Sequence, residues 1–252
     1  MRATATLLAG PLVRSLEVPN LDLAWVSTTG LDGFERSKSS DNSAVTEVSA
    51  TTIEDTLTLL DYRRRIFDLY REMRESANPA RAWVRWSEER NRLFATHPQS
   101  PIPEAERGTF AGVPYYDYDP NKRVLAECLQ AEPRSYDIPT SGEQPMRFSR
   151  CGIATFELEG EAAELELYWL DAYGGGLFLP FRDATSGETT YGAGRYLLDT
   201  VKGADLGTTG DRLILDFNFA YNPSCSYDPR WVCPLAPPSN RLPVAVKAGE
   251  RT

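Results

Sequence analysis

Histidine is almost missing from this chain: His97 is the only one in 252 residues. A histidine-rich zinc or iron centre needs three or more converging donors, so that class of site is excluded. Lysine is nearly as scarce; of 27 basic residues only Lys38, Lys122, Lys202 and Lys247 are lysine, leaving 23 arginines, a bias of composition more than of chemistry. A formal charge of -9 argues against nucleic acid or an anionic membrane as principal partner, because both demand a basic footprint. No apolar run reaches the ~18 residues that a membrane-spanning helix requires. The apolar segment 3–13 is interrupted by Gly10 and Pro11 and lacks a small-residue cleavage site, so a cytoplasmic location is expected. Four cysteines are too few to staple a chain of this length. Nucleotide-binding glycine loops, paired CxxC motifs and a GxSxG elbow are all absent from the sequence.

What is present suits a globular protein with a sizeable core: 41% hydrophobic and 11% aromatic residues. Residues 1–50 read as a partly flexible extension, with one strand near 21–26 and a Ser-rich linker over 37–49. Residues 51–252 read as a single β-rich domain with two leading helices. Leu57, Leu60, Phe67, Tyr70 and Met73 mark one face of the first helix, with Thr52 as cap and Arg63–Arg65 on a solvated side. Asn78 and Pro79 open the second, which carries Trp83, Trp86, Leu93 and Phe94 and ends before Pro98. His97 at that end reads better as a helix-terminal group than as a catalytic base.

Strands are expected at 112–118, 123–129, 147–158, 164–171, 177–182, 194–198, 212–219 and 242–247, the fourth and fifth joined as a hairpin by Gly174–Gly176. Leading helices followed by a strand meander imply an α+β fold: an antiparallel curled sheet, barrel or sandwich, with the helices packed on it.

Three segments concentrate polar chemistry. Strand 212–219 places Leu213, Leu215, Phe217 and Phe219 on one face, and Asp216 and Asn218 on the other, toward either a barrel interior or water. Segment 181–191 offers Arg182, Asp183, Thr190 and Tyr191 around a glycine turn, and Arg182 or Arg195 has the fork to grip a carboxylate; an ordinary turn with a structural ion pair is the competing reading. Gly192 and Gly194 serve a turn sooner than a phosphate. Loop 221–240 carries Asn222, Cys225, Cys233 and Asn240, and its cysteine pair could close a disulfide, ligate a metal with outside help or serve as reactive thiols; two buried free thiols are the competing reading.

The stretches Pro180–Tyr196, Asp216–Tyr227, Cys233-Pro234 with Pro237-Pro238, and Ala248-Gly249-Glu250 resemble the bacterial family catalogued as domain of unknown function 1684, from about Trp83 onward. One departure is visible: where the family has Pro-Leu-Pro-Pro after the second cysteine, this chain has Leu235-Ala236-Pro237-Pro238. The family carries no established activity, so the resemblance locates a site without describing a reaction.

These readings combine into one expectation: a small-molecule enzyme, an isomerase, cyclase or hydrolase working without an organic cofactor, of the kind that suits a tailoring step of secondary metabolism. Asp183 or Asp216 is the expected base, Tyr191 and Arg195 complete the catalytic set, and Arg182, Thr190, Asn218, Asn222 and Asn240 bind substrate. The alternatives are a non-catalytic small-ligand binder, and a redox or metal protein built on Cys225 and Cys233. The sequence sets neither metal content nor oligomeric state.

Overall fold

The computed structural model describes residues 52–252. The expected extension over 1–50, with its strand and linker, lies outside the described residues.

Helix α1 (Ile53–Glu75) starts at a reciprocal capping box, in which the Asp55 amide donates to Thr52 Oγ1 and the Thr52 amide to the Asp55 carboxylate. Helix α2 (Pro79–Thr96) starts at Asn78, whose side chain accepts from the Arg81 amide, and ends where the His97 amide donates to Leu93 O. The apolar stripe of α1 is buried only toward its C-terminus, through Leu69, Tyr70 and Met73. Leu57, Leu60 and Phe67 are exposed among the described residues. A short α3 (Glu104–Arg107) leads to the sheet.

Eight strands follow: β1 (Arg123–Leu129), β2 (Arg134–Ile138), β3 (Met146–Leu158), β4 (Glu161–Leu170), β5 (Leu177–Phe181), β6 (Arg195–Asp199), β7 (Thr208–Thr209) and β8 (Arg212–Asp216). Their order is β6-β5-β4-β3-β1-β8-β7, all antiparallel, with β2 beside β3. The result is a curled half-barrel with helices at the N-terminal side. β4 and β5 form the expected hairpin, pairing Tyr168 with Phe178.

Three strand expectations need correction. Residues 112–118 contribute a single bridge, Tyr115 to Glu250. Residues 242–247 form no strand; they run as an irregular tail whose Leu242, Val246 and Ala248 pack into the main core beside Leu165, Phe181 and Phe217. β8 stops at Asp216, whose side chain caps a 3-10 turn over Phe217–Phe219. The turn breaks the period of two, so Phe217 joins the main core while Phe219 swings to the helix side with Trp86 and Tyr70. Each large apolar side chain removed from water contributes about 1.5–3 kcal/mol, which holds the tail on the core through Leu242 and Val246.

Gly249 makes that ending possible. Its φ is +76°, and a Cβ there would stand 2.6 Å from Ala220 O and 2.7 Å from Phe217 O. No helix among the described residues is long and apolar enough to cross a membrane.

Candidate ligand-binding site

Asp183 and Arg195 are brought together at the base of β6, as an ion pair of 3.1 Å that is essentially inaccessible to water. Every oxygen position of Asp183 is occupied. Oδ1 accepts from the Thr185 amide and hydroxyl and from Ser186 Oγ; Oδ2 accepts from Arg195 and from the Val246 amide at 2.8 Å. Arg195 spends its other donors on the tail carbonyls of Val246, Ala248 and Glu250, and lies over the Phe181 ring. Thr190 is buried against the Thr185 hydroxyl. A base needs a free lone pair within reach of substrate; here the carboxylate and guanidinium clamp the C-terminal tail to the sheet.

Asp216 lies elsewhere. Its Oδ2 meets Arg123 at 3.1 Å, and Oδ1 accepts from the Asn218 amide and side chain. Asn218 in turn exchanges two hydrogen bonds with the Asp119 backbone, while its own carbonyl accepts from Trp83 Nε1. Of the two environments read for this face, barrel interior or water, neither occurs: Asp216 and Asn218 are buried against the segment entering β1. Burial raises the Asp216 pKa, with Asn218 and Arg123 opposing. Asn240 is also interior; it joins the Glu166 amide and carbonyl to the Pro180 carbonyl, bridging β4 to β5 where the hairpin opens. Arg182 sits half-buried, its amide and carbonyl paired to the Asn240–Leu242 segment.

A cavity of about 260 Å³ opens between α1, α2 and the 221–233 loop. Its walls are mainly aromatic, with Tyr62, Tyr70, Trp86, Phe94, Tyr221 and Trp231. Arg90 lies among them, its guanidinium 4.5 Å from the Phe94 ring centre and 5.4 Å from those of Trp86 and Tyr221. It is 2.8 Å from the Glu250 carboxylate, which is fully buried and also accepts from the Asn222 amide. Burial raises the Glu250 pKa while Arg90 opposes it. Asn222 Oδ1 and Trp231 Nε1, both on residues of the cavity wall, have no hydrogen-bond partner among the described residues. Such buried orphans are uncommon, and each costs about 1–3 kcal/mol unless a ligand or water satisfies it.

Of the residues singled out from sequence, Asn222 and Cys233 line this cavity. Asp183, Arg195, Asp216, Asn218 and Asn240 do not. Tyr191 stands apart with its hydroxyl 3.9 Å from Cys225 Sγ. Arg90 was missed, although its spacing marks it: Trp86, Arg90 and Phe94 recur every four residues, placing a charge on the buried face of α2. No cluster of three or more His, Cys, Asp or Glu side chains fit to hold a metal ion occurs among the described residues.

A curled half-barrel that locks its own C-terminal tail and carries an aromatic cavity against two helices is the class this geometry defines. The chain belongs to the family described as Protein of unknown function (DUF1684), whose model matches residues 108–251. It is also similar to an uncharacterised protein from Haloarcula marismortui with a solution NMR structure: 43% identity over 66% of this chain and 90% of that chain, with a TM-score of 0.49. No curated protein matches the chain. The family match covers the tail, the Asp183–Arg195 clamp and the 221–233 loop, and begins after the helices that supply Arg90 and Trp86.

Proposed function

We propose that the protein binds a small, flat, mostly apolar molecule in the cavity between α1, α2 and the 221–233 loop, and holds it without covalent chemistry. The observation that carries this reading is the pairing of an aromatic wall with two unpartnered polar atoms, the Asn222 acceptor and the Trp231 donor. Ligand sites are typically concave and apolar, with a few convergent polar groups that fix orientation. The volume suits a ligand of one or two rings bearing both a hydrogen-bond donor and an acceptor. Because Glu250 neutralises Arg90, the wall favours a neutral ligand over a free anion.

The enzymatic reading built on Asp183 and Asp216 has less support, since both carboxylates are fully engaged and neither borders this cavity. Ligand-observed NMR with indole, phenol and benzamide tests the proposal. Saturable binding is expected, and Ala204→Leu, which adds bulk to a buried position in the cavity wall, should abolish it while the fold is retained. Binding unaffected by that substitution would refute the assignment. Turnover of a substrate that disappears in a folded Asp183→Asn variant, with affinity retained, would restore the enzyme reading.

A further inference from the structure

The cavity between α1, α2 and the 221–233 loop is lined by charge of one sign. Its wall includes three cations, Arg63, Arg90 and Lys202, and no aspartate or glutamate lines it among the described residues. Arg90 is answered from outside the wall by Glu250, at 2.8 Å. The other two cations mark the rim, since both are exposed and both border the cavity. Leu59, Tyr62, Arg63 and Ile66 line it at positions i, i+3, i+4 and i+7 of α1, which places Arg63 on the helix face that forms this wall. Nearby Arg65 pairs with Asp61 at 2.6 Å, whereas Arg63 makes no ion pair among the described residues. Lys202 comes from a separate element, the 3-10 turn Thr200–Lys202, and is tethered there by Asp199. That carboxylate accepts from the Lys202 amide at 3.3 Å and meets its Nζ at 3.4 Å.

We propose that the ligand of this cavity is an aryl carboxylate, its ring among the aromatic side chains and its carboxylate at the rim, against the Arg63 guanidinium with Lys202 alongside. The inference rests on the cavity receiving a ring, as proposed above, and adds the ligand's charge and where that charge sits. Glu250 cancels Arg90, so a bare anion gains nothing by entering the interior. At the rim the balance differs. Asp199 offsets Lys202, which leaves one uncompensated positive charge, on Arg63. One charge matches a carboxylate better than a doubly charged phosphate, and the planar fork of arginine fits the two carboxylate oxygens with parallel hydrogen bonds. Because the rim is open to water, the pair acts as a surface ion pair: modest in affinity and sensitive to salt.

The test titrates the full chain with indole-3-acetate and with indole-3-acetamide, which keeps the ring and the shape without the charge, and reads both affinities from ¹H–¹⁵N chemical shifts. The carboxylate is expected to bind about fivefold more tightly than the amide, the gain that one exposed ion pair supplies at its upper end. That ratio should fall toward one in about 1 M salt, where screening reaches ~3 Å. Arg63→Gln should also bring the ratio to one. Arg64→Gln, which removes an exposed charge from the same helix outside the cavity lining, should leave the ratio as in wild type. Saturable binding of both compounds with equal affinity would overturn the carboxylate assignment and leave the ring-binding reading standing. A ratio that survives Arg63→Gln, or is lost equally in Arg64→Gln, would overturn the placement at the rim. Binding of neither compound would overturn both readings.

Discussion

Arg90, on the second helix, and Glu250, third from the C-terminus, meet at 2.8 Å with the carboxylate fully buried. Breaking a buried pair from one side leaves an uncompensated charge and costs about 3–5 kcal/mol. Glu250→Gln should therefore lose stability on that scale in urea unfolding. Arg90→Met combined with Glu250→Leu should recover much of the loss, because neither charge is then stranded. Equal losses in the single and double variants would contradict this account.

The Asp183–Arg195 clamp makes a different prediction, because its partners are tail backbone groups. Asp183→Asn strands the Arg195 guanidinium, at a cost of about 3–5 kcal/mol, and weakens acceptance from the Val246 amide. Hydrogen exchange should accelerate at Val246 and along residues 242–250 more than in β3 or β4.

Asp216 gives a pH signature. Burial raises its pKa above 3.8, so the folded protein keeps this proton at pH values where the unfolded chain has lost it. Its contribution to stability is greatest below the unfolded value and declines as pH rises through the folded pKa. Measured by urea unfolding between pH 3 and pH 8 (roughly the carboxylate range and above), wild type should lose stability relative to Asp216→Asn across that window. A flat difference would mean that burial leaves this carboxyl unshifted.

Cys225 should alkylate with a rate midpoint near pH 6, set by Cys233, with Ser141 and Tyr191 adding smaller contributions. In Cys233→Ala, which removes that donor, the midpoint should move toward the ordinary thiol value of 9.0. Iodoacetamide kinetics monitored at the Cys225 peptide measure both.

Both long helices and the strands β1, β3, β4, β5 and β6 were legible because each depends on local signals: the Thr52 and Asn78 caps, Pro79, and alternation such as Leu165 and Leu167. The curl, with helices on its N-terminal side, followed from their order. The tail was not legible, since Leu242 to Val246 alternates like a strand, yet its amides and carbonyls go to Asp183, Arg195 and Arg182. β2 and β7 escaped notice as short edge segments that neighbours impose.

The polar residues of segments 181–196 and 216–240 were found as a set, but sequence cannot separate side chains that hold a backbone from those that face a ligand. Asp183, Asn218 and Asn240 saturate backbone groups 63, 99 and 74 residues away, at Val246, Asp119 and Glu166. The cavity depends on Arg90 and Trp86 meeting Tyr221 and Trp231, a long-range event with only the four-residue spacing on α2 to announce it.

The central claim is that this cavity, and not the Asp183 or Asp216 network, receives the ligand. An indole titration followed by ¹H–¹⁵N chemical shifts tests it most directly. Saturable shifts at the Trp231 indole N–H and the Asn222 side chain, with the Asp183, Thr190 and Asp216 amides unmoved, are the predicted result. Shifts centred on Asp183, Thr190 or Asp216, with Trp231 and Asn222 silent, would contradict it.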